Sequence, residues 1–125
     1  MRADGFAPLP EDVAARWRKY GRWDRTYFPS LVGVVVEDLR IDYCRMRLPF
    51  RPELAQPAGS VHGGAIATLV DTVVVPAVGA GLEPGWAYAT VTMNIQYLGA
   101  ITGEDAIAEG WVTQRGRSIV FCQAE

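Results

Sequence analysis

Polar and apolar residues alternate along several stretches of this chain, and alternation with a period of two is typical of half-buried β-strands. Five strands are predicted, at residues 31–39, 41–48, 86–98, 105–114 and 118–124. The alternation is longest in residues 86–98. The Arg115-Gly116-Arg117 sequence between the last two strands predicts a hairpin turn.

One long stretch, residues 64–78, is apolar around its whole circumference when it is wound as a helix. A helix of that kind is buried. Pro76 lies inside it and should kink the helix or end its regular hydrogen bonding. A shorter helix is predicted at residues 13–20, after a Pro10 opening with acidic residues, and residues 1–9 are expected to form a loose tail.

The order of these elements predicts the fold class. One helix and two strands come first, a long buried helix follows, and three antiparallel strands complete the chain. Strands on both sides of one buried helix indicate an α+β fold in which the sheet wraps around that helix. Residues 1–30 are assigned to an N-terminal tail and helix extension, and residues 31–125 to the main domain.

Length and charge narrow the possible functions. With 125 residues the chain is predicted to be one domain. Its net charge is −2, with no long run of residues of one sign, which argues against a nucleic-acid partner. Asp71 and Pro76 interrupt the longest apolar run, so no membrane span is expected. The N-terminus carries acidic residues and no apolar signal segment, which indicates a cytoplasmic location.

Cysteines and histidine are few in this sequence. Cys44 and Cys122 are the only two cysteines, far apart and each within a predicted strand. We expect free thiols, although a pair is the alternative. One histidine and two distant cysteines do not make a zinc-binding set, so no metal site is predicted.

The richest chemistry lies where the long helix begins. His62, the only histidine, precedes Gly63 and Gly64. A helix start leaves backbone N–H groups unpaired, and glycines let a ligand approach them, which suits a polarised carbonyl oxygen. The alternative is that the two glycines only permit a tight turn into the helix. Asp71 is a carboxylate on a helix predicted to be buried, and such groups are candidate acids or bases unless they are exposed or bonded to backbone.

The spacing between these groups has a consequence for assembly. Gly63 and Asp71 are eight residues apart, which corresponds to about 12 Å along a helix. Groups that act on one carbonyl carbon must lie about 3 Å from it. Either the two groups do not cooperate or the carboxylate comes from a second copy of the chain, in a two-fold dimer with two equal sites.

Two motifs together resemble a known family. Residues 60–71 follow the pattern H-G-G-x-x-x-x-L-x-D, and Val91-Thr92-Met93-Asn94-Ile95-Gln96-Tyr97-Leu98 contains N-I-x-Y. This combination resembles the hotdog-fold acyl-CoA thioesterases of the PaaI-like type, from about residue 31 onward. The resemblance implies an antiparallel sheet around one long helix, a homodimer, and often a tetramer of two dimers. It also implies one more strand after this stretch, without which residues 118–124 would form an unpaired edge.

The resemblance also implies roles for single residues. The N–H of Gly63 would polarise the thioester carbonyl, and Asp71 of the partner chain would act as nucleophile or general base. His62 would help to orient the thioester. Gln56 occupies a position that is often Asn in the family, and Thr90 matches a Ser or Thr that positions the water or the carboxylate.

An acyl-CoA substrate is implied, and coenzyme A would enter only as part of it, with no separate cofactor. We expect Gly64 and Val74 to contact substrate, and Val73, Pro76, Trp86 and Tyr88 to feed the acyl pocket. Arg115 and Arg117 are candidates for the coenzyme A phosphates, or are solvated turn residues. Two alternatives on the same fold are a non-catalytic acyl-CoA or acyl-carrier binding module and a dehydratase or hydratase. The sequence offers no second partner for His62 in the latter.

Overall fold

The computed structural model describes all residues, 1–125, and consists of one sheet and one long helix with shorter helices around them. The helices are α1 (Glu11–Trp17), α2 (Phe28–Val32) and α3 (Gly63–Gly79), with two 3₁₀ turns at Arg2–Gly5 and Pro52–Leu54. The strands are β1 (Val35–Arg40), β2 (Tyr43–Leu48), β3 (Ala106–Arg115) and β4 (Val120–Ala124). The sheet is antiparallel in the order β1-β2-β3-β4, so β4 is an edge strand, as expected.

Helix α3 packs against one face of the sheet and forms the core with it. In β2 every second residue, Cys44, Met46 and Leu48, is fully buried against the helix. On the helix side, Leu69 and Val73 are buried in the same cluster. Each large apolar side chain removed from water in this way stabilises the fold by about 1.5–3 kcal/mol. The predicted sheet around one buried helix is therefore confirmed.

Gly110 of β3 allows the close approach of helix and sheet. A Cβ atom at this position would lie 2.8 Å from Val73 Cγ1 and 2.9 Å from Val74 Cγ1. Real Cβ atoms are essentially never that close to a neighbour. The absence of a side chain at Gly110 thus sets the distance between α3 and the middle of the sheet.

The opposite face of the sheet is covered in part by the N-terminal residues. Tyr43 is fully buried there, and its ring stacks on Phe6 with 5.1 Å between ring centroids. The Tyr43 hydroxyl donates a hydrogen bond of 2.5 Å to Glu109. Arg2 lies over the ring of Trp111, 3.8 Å from its centroid. The expectation of a loose tail is therefore wrong, because these residues make specific contacts with the sheet.

The first predicted strand is too long at its N-terminal end. The prediction began at residue 31, whereas residues up to Val32 form α2 and the strand begins at Val35. Proline suits the first turn of a helix, and Pro29 lies in the first turn of α2. Gly33 ends α2 in a left-handed conformation with φ 97°. The apolar residues after Gly33 continue the strand-like pattern, so Pro29 and Gly33 were not recognised as the two ends of a helix.

Residues 86–98, predicted as the longest strand, form no strand in the structure. They lie along α3 instead, tied to it by three side-chain hydroxyl groups. Tyr88 donates to the carbonyl oxygen of Val75, Thr90 to the carboxylate of Asp71, and Tyr97 to the carbonyl oxygen of Gly63. The segment therefore runs antiparallel to the helix. Alternation shows that a sequence suits a strand, but a strand also needs a neighbouring backbone, and none is within bonding distance here.

The remaining predicted elements lie close to their expected places. Helix α1 is shorter than expected, and the hairpin between β3 and β4 is confirmed, with Arg115 opposite Val120. Cys44 and Cys122 are free thiols, as expected. Helix α3 continues through Pro76 to Gly79, so the proline does not end it. No helix, α3 included, has the length and apolar character needed to cross a membrane.

Candidate functional site

The start of α3 is organised by His62. Its Nδ1 atom accepts a hydrogen bond of 2.8 Å from the backbone N–H of Gly64, which makes His62 the N-cap of the helix. The His62 carbonyl oxygen accepts from the N–H groups of Ala65 and Ile66. Since Nδ1 is an acceptor, the ring proton of the neutral imidazole resides on Nε2, which is free to donate to a ligand.

These contacts leave one backbone donor at the helix start without a partner. The N–H of Gly64 donates to His62 Nδ1, and the N–H groups of Ala65 and Ile66 donate to the His62 carbonyl oxygen. The N–H of Gly63 donates to no protein atom, and Gly63 is half-buried. A free N–H at the positive end of a helix is suited to an oxygen that gains negative charge. The geometry thus selects Gly63 rather than Gly64 as the donor.

Gln56 braces the loop that leads into the helix. Its side-chain nitrogen donates to Ser60 Oγ at 2.6 Å, and its side-chain oxygen accepts from the N–H of Ala58 at 2.6 Å. The backbone N–H of His62 donates to the carbonyl oxygen of Leu54 at 2.7 Å, which fixes the loop to the helix start. Gln56 is half-buried and acts on its own loop in this structure.

The second cluster lies midway along α3. Asp71 is half-buried, and its Oδ1 atom accepts a hydrogen bond of 2.6 Å from the hydroxyl of Thr90. Its Oδ2 atom has no hydrogen-bond partner. The hydrogen bond fixes the orientation of the carboxylate and leaves one oxygen available to a water molecule or a substrate. The predicted association of Thr90 with Asp71 is present as a direct contact.

A cavity of about 330 Å³ opens beside this carboxylate. Phe28 of α2 and Met93 give it apolar walls, and Ala67, Thr68 and Thr72 line it from α3. Sequence reasoning did not select these residues. Ala67 and Thr68 could have been found, because residues three and four before Asp71 share its face of the helix. Phe28 could not, since it comes from an element that the sequence analysis did not identify.

Within one chain, the two clusters do not form one site. Helix α3 is continuous from Gly63 to Asp71, so about 12 Å of helix separates them. The structure thus places the free N–H of Gly63 at the start of the helix and the carboxylate of Asp71 at its middle, too far apart to act on one carbonyl group.

The other predicted contacts lie elsewhere. Arg115 donates to Asp42 at 2.8 Å and to the carbonyl oxygens of Ala77 and Val78 at 3.1 Å. It therefore caps the C-terminal end of α3, far from Gly63. Val74 packs against the core instead of lining the cavity beside Asp71. Arg117 is exposed and has no ion-pair partner.

The expected acyl-pocket residues also lie away from that cavity. Val73 and Pro76 are buried in the core, whereas Trp86 and Tyr88 line a different cavity near the C-terminal end of α3. Burial raises the pKa of Tyr88 to about 12, so its hydroxyl is a hydrogen-bond donor at neutral pH.

Tyr97 is a site residue to which the sequence analysis gave no role, although it belongs to the N-I-x-Y motif. Its hydroxyl donates to the Gly63 carbonyl oxygen at 2.8 Å. Its ring lies under the same glycine, 3.4 Å from where a Cβ atom would be. Tyr97 thus holds the residue whose N–H is free.

Comparison with known proteins shows the family to which this chain belongs. A model of the thioesterase superfamily matches residues 58–125, more than half of the chain. An esterase candidate of Halobacterium salinarum is 37% identical over 95 residues, which cover 72% of this chain and 62% of that protein. Human acyl-coenzyme A thioesterase 13 is 32% identical over 83 residues, covering 66% of this chain and 57% of that protein. The chain thus spans about three fifths of the length of these relatives.

Solved structures show the same fold. The BH2602 protein of Bacillus halodurans, solved with CoA, superposes with a TM-score of 0.73 at 28% identity, covering 91% of this chain and 79% of that one. The Escherichia coli PaaI protein of the phenylacetic acid degradation operon has a TM-score of 0.70 at 14% identity over 90% of each chain. The chain has the hotdog fold and belongs to the thioesterase superfamily. The resemblance to PaaI-like proteins is confirmed.

Proposed function

We propose that this protein hydrolyses acyl-CoA thioesters to a free acid and coenzyme A, as a homodimer with two equal sites. The observation that supports this most directly is the unpaired N–H of Gly63 at the start of α3. It supplies the electrostatic half of a thioesterase site in a chain of the thioesterase superfamily. The Asp71–Thr90 pair supplies the other half.

The dimer joins the two halves of the site. A two-fold axis that sets Gly63 opposite the partner's Asp71 also sets Asp71 opposite the partner's Gly63. Two α3 helices related in this way run antiparallel, side by side, and each contributes its start to one site and its middle to the other. Pairing two such dimers into a tetramer leaves this arrangement unchanged.

In the proposed reaction, the Gly63 N–H donates to the thioester carbonyl oxygen, which becomes negative as the carbon is attacked. The partner's Asp71 either removes a proton from the attacking water or attacks the carbon itself, forming an anhydride that water then hydrolyses. The carbon–sulfur bond breaks, and the thiolate of coenzyme A leaves and takes up a proton. The Nε2–H of His62 orients the thioester, and Tyr97 positions the residue that donates.

The proposed substrate brings coenzyme A with it, and the reaction requires only water besides. The acyl group would occupy the apolar cavity between Phe28 and Met93. Arg117 stays a candidate for a phosphate contact, because it is exposed and unpaired. A cytoplasmic location fits the free thiols of Cys44 and Cys122, which a reducing compartment preserves.

Hydrolysis of a panel of aromatic, short-chain and long-chain acyl-CoA thioesters tests this function. We expect Asp71→Asn to lower kcat by about 10²-fold or more. Asp24→Asn, an exposed carboxylate outside the site, is the matched control and should leave kcat unchanged. A wild-type protein that binds acyl-CoA but hydrolyses no member of the panel would instead be a binding module. Undiminished activity of Asp71→Asn would refute the assigned mechanism.

The shared site has its own test. Asp71→Ala and Gly63→Pro should each be inactive, and proline is tolerated at the first position of a helix, so the second variant should fold. After the two are unfolded together and refolded at equal amounts, each heterodimer has one intact site. We expect about a quarter of wild-type activity from random pairing. No recovery, with heterodimers present by mass, would show that the two groups do not share a site.

A further inference from the structure

A second cavity, of about 350 Å³, lies at the other end of α3, where the ring of Trp17, the last residue of α1, lies close to Gly79. We call it the α1 pocket. Its rings include Trp17, Trp23 and Trp86, and its charged side chains include Arg16, Lys19 and Arg22. Neither the thioesterase chemistry nor the sequence motifs account for this combination. Cavities of this size are at the small end of the range that binds small organic ligands.

The α1 pocket concentrates positive charge in a chain whose net charge is −2. Lys19 and Arg22 form no ion pair, and Arg16 reaches only the exposed Asp12, at 3.8 Å. Glu83 is the one carboxylate among the lining residues. Unpaired cations around a concave surface favour an anionic ligand, and arginine in particular suits phosphate.

The negative end of the helix dipole does not cancel this charge. The last carbonyl groups of a helix carry partial negative charge that would repel an anion nearby. Here the guanidinium of Arg115 donates to the carbonyl oxygens of Ala77 and Val78 and covers that end of α3. The pocket beside it is therefore compatible with phosphate.

The aromatic walls indicate what the phosphate is attached to. Trp17, Tyr20 and Trp23 form a continuous series of ring contacts, with centroids 6.0 and 5.0 Å apart. On the other side, Trp86 is 68% exposed. Burial of an exposed indole ring under a ligand is favourable because it removes apolar surface from water. Flat exposed rings beside cations bind nucleotide bases by stacking. A base that carries phosphate matches both the rings and the cations.

The position of the pocket relates it to the proposed site. Gly79, which lines the pocket, is eight residues beyond Asp71, or about 12 Å along α3. In the antiparallel dimer, the partner's Gly79 therefore lies about 12 Å beyond Gly63, outward from the dimer axis. The arm that joins the sulfur of coenzyme A to its nucleotide is about as long as four or five extended residues, about 16 Å. It can span this distance.

We propose that the α1 pocket binds the nucleotide end of the acyl-CoA whose thioester lies at Gly63 of the other protomer. This inference rests on the proposed function for its geometry. Recognition of an aromatic base that bears phosphate does not depend on catalysis, so nucleotide binding and thioester hydrolysis can be tested separately.

Nucleotide binding is measured first, without turnover. Three of the four tryptophans line the pocket, so titration of the Asp71→Asn protein with adenosine 3′,5′-bisphosphate should quench its tryptophan emission. The double variant Lys19→Glu/Arg22→Glu should raise the Kd at least about tenfold, as lost charge-assisted hydrogen bonds do. Arg25→Glu, an exposed cation outside the pocket, is the control. Trp86→Ala should weaken binding as well, and its exposure makes misfolding no concern.

Turnover then links the pocket to the site. For acyl-CoA the double variant should raise KM at least about tenfold with kcat nearly unchanged. For the same acyl group on N-acetylcysteamine, which has no nucleotide, both constants should stay at wild-type values. Equal effects on the two thioesters, or no effect on either, would overturn the proposal.

The outcomes separate the two hypotheses. Absence of nucleotide binding at millimolar concentration rejects the pocket whatever the hydrolysis assay shows. Binding that the double variant abolishes, in a protein that hydrolyses no thioester, supports the pocket and rejects the proposed function. Binding that only an Arg117→Glu variant abolishes assigns the nucleotide to the β3–β4 turn and overturns the inference.

Discussion

The hydroxyl of Tyr97 donates a 2.8 Å hydrogen bond to the carbonyl oxygen of Gly63, and its ring lies against the same residue. The contact joins the end of the 86–98 segment to the start of α3. It restrains the peptide groups on both sides of Gly63, including the one whose N–H is free. Two motifs that are far apart in the sequence thus meet at one residue.

Tyr97→Phe tests the role of this hydroxyl, since it keeps the ring and removes the donor. We expect kcat to fall by about three- to tenfold with little change in KM, because a hydrogen bond of about 0.5–1.5 kcal/mol is lost from a positioning contact. Steady-state kinetics provide the measurement. If kcat stays at the wild-type value while thermal stability falls, the contact serves only the fold.

Thr90→Val tests the contact with Asp71. The variant has nearly the same shape but cannot donate to the carboxylate, so its orientation is no longer fixed and kcat should fall by about tenfold. Thr90→Ser should retain most of the activity because it restores the donor. Thr113→Val, which removes a hydroxyl bonded to Phe121 in the distant hairpin, is the matched control. Equal rates for Thr90→Val and Thr113→Val would contradict the assignment.

Gly110→Ala tests the packing of helix on sheet. The added methyl group would overlap the side chains of Val73 and Val74, so we expect a loss of about 1–3 kcal/mol in the free energy of unfolding. Denaturant unfolding measures it. Gly99→Ala is the control, because no atom lies within 4 Å of its new methyl group. Equal stability of the two variants would mean that α3 lies farther from β3 than described.

The buried thiol of Cys44 predicts a loss of stability at alkaline pH. Burial is the largest cause that raises its pKa from 9.0 to about 12, with a smaller contribution from Asp38. Because the folded pKa is the higher one, this contribution to stability is fully present below about pH 9 and is lost as the pH rises towards 12. From pH 8 to 10.5, wild type should lose about 2 kcal/mol more than Cys44→Ala. Parallel losses in the two proteins would show that the thiol does not titrate in this way.

Much of the candidate site could be predicted from the sequence because its signals are local. His62, Gly63 and Asp71 stand out by type and spacing, and the start of α3 follows from the apolar run behind them. The match of Thr90 to Asp71 came from resemblance, and the structure shows the contact directly. The roles of Gln56 and Arg115 were harder to predict. Gln56 makes hydrogen bonds within its own loop, and Arg115 makes them to residues far away in the sequence, and no sequence motif indicates these partners.

Two of the errors in the fold, at residues 86–98 and 28–32, have different physical reasons. Residues 86–98 have the alternation of a strand, but strand formation depends on a second backbone, and pairing is a property of the assembled chain. Residues 28–32 are helical because Pro29 and Gly33 determine the two ends of a short turn of helix. Neither effect appears in the periodicity, which reports burial and not hydrogen-bond partners.

Hydrophobic periodicity was sufficient to establish the buried helix and most of the sheet. Burial of apolar side chains dominates the formation of these elements, and the apolar positions can be read directly from the sequence. The three-dimensional arrangement was needed to show which backbone donor is free, which carboxylate oxygen is unbonded and where the aromatic and basic residues of the α1 pocket converge. These properties depend on hydrogen bonds and distances between residues far apart in sequence, so they exist only once the chain has folded.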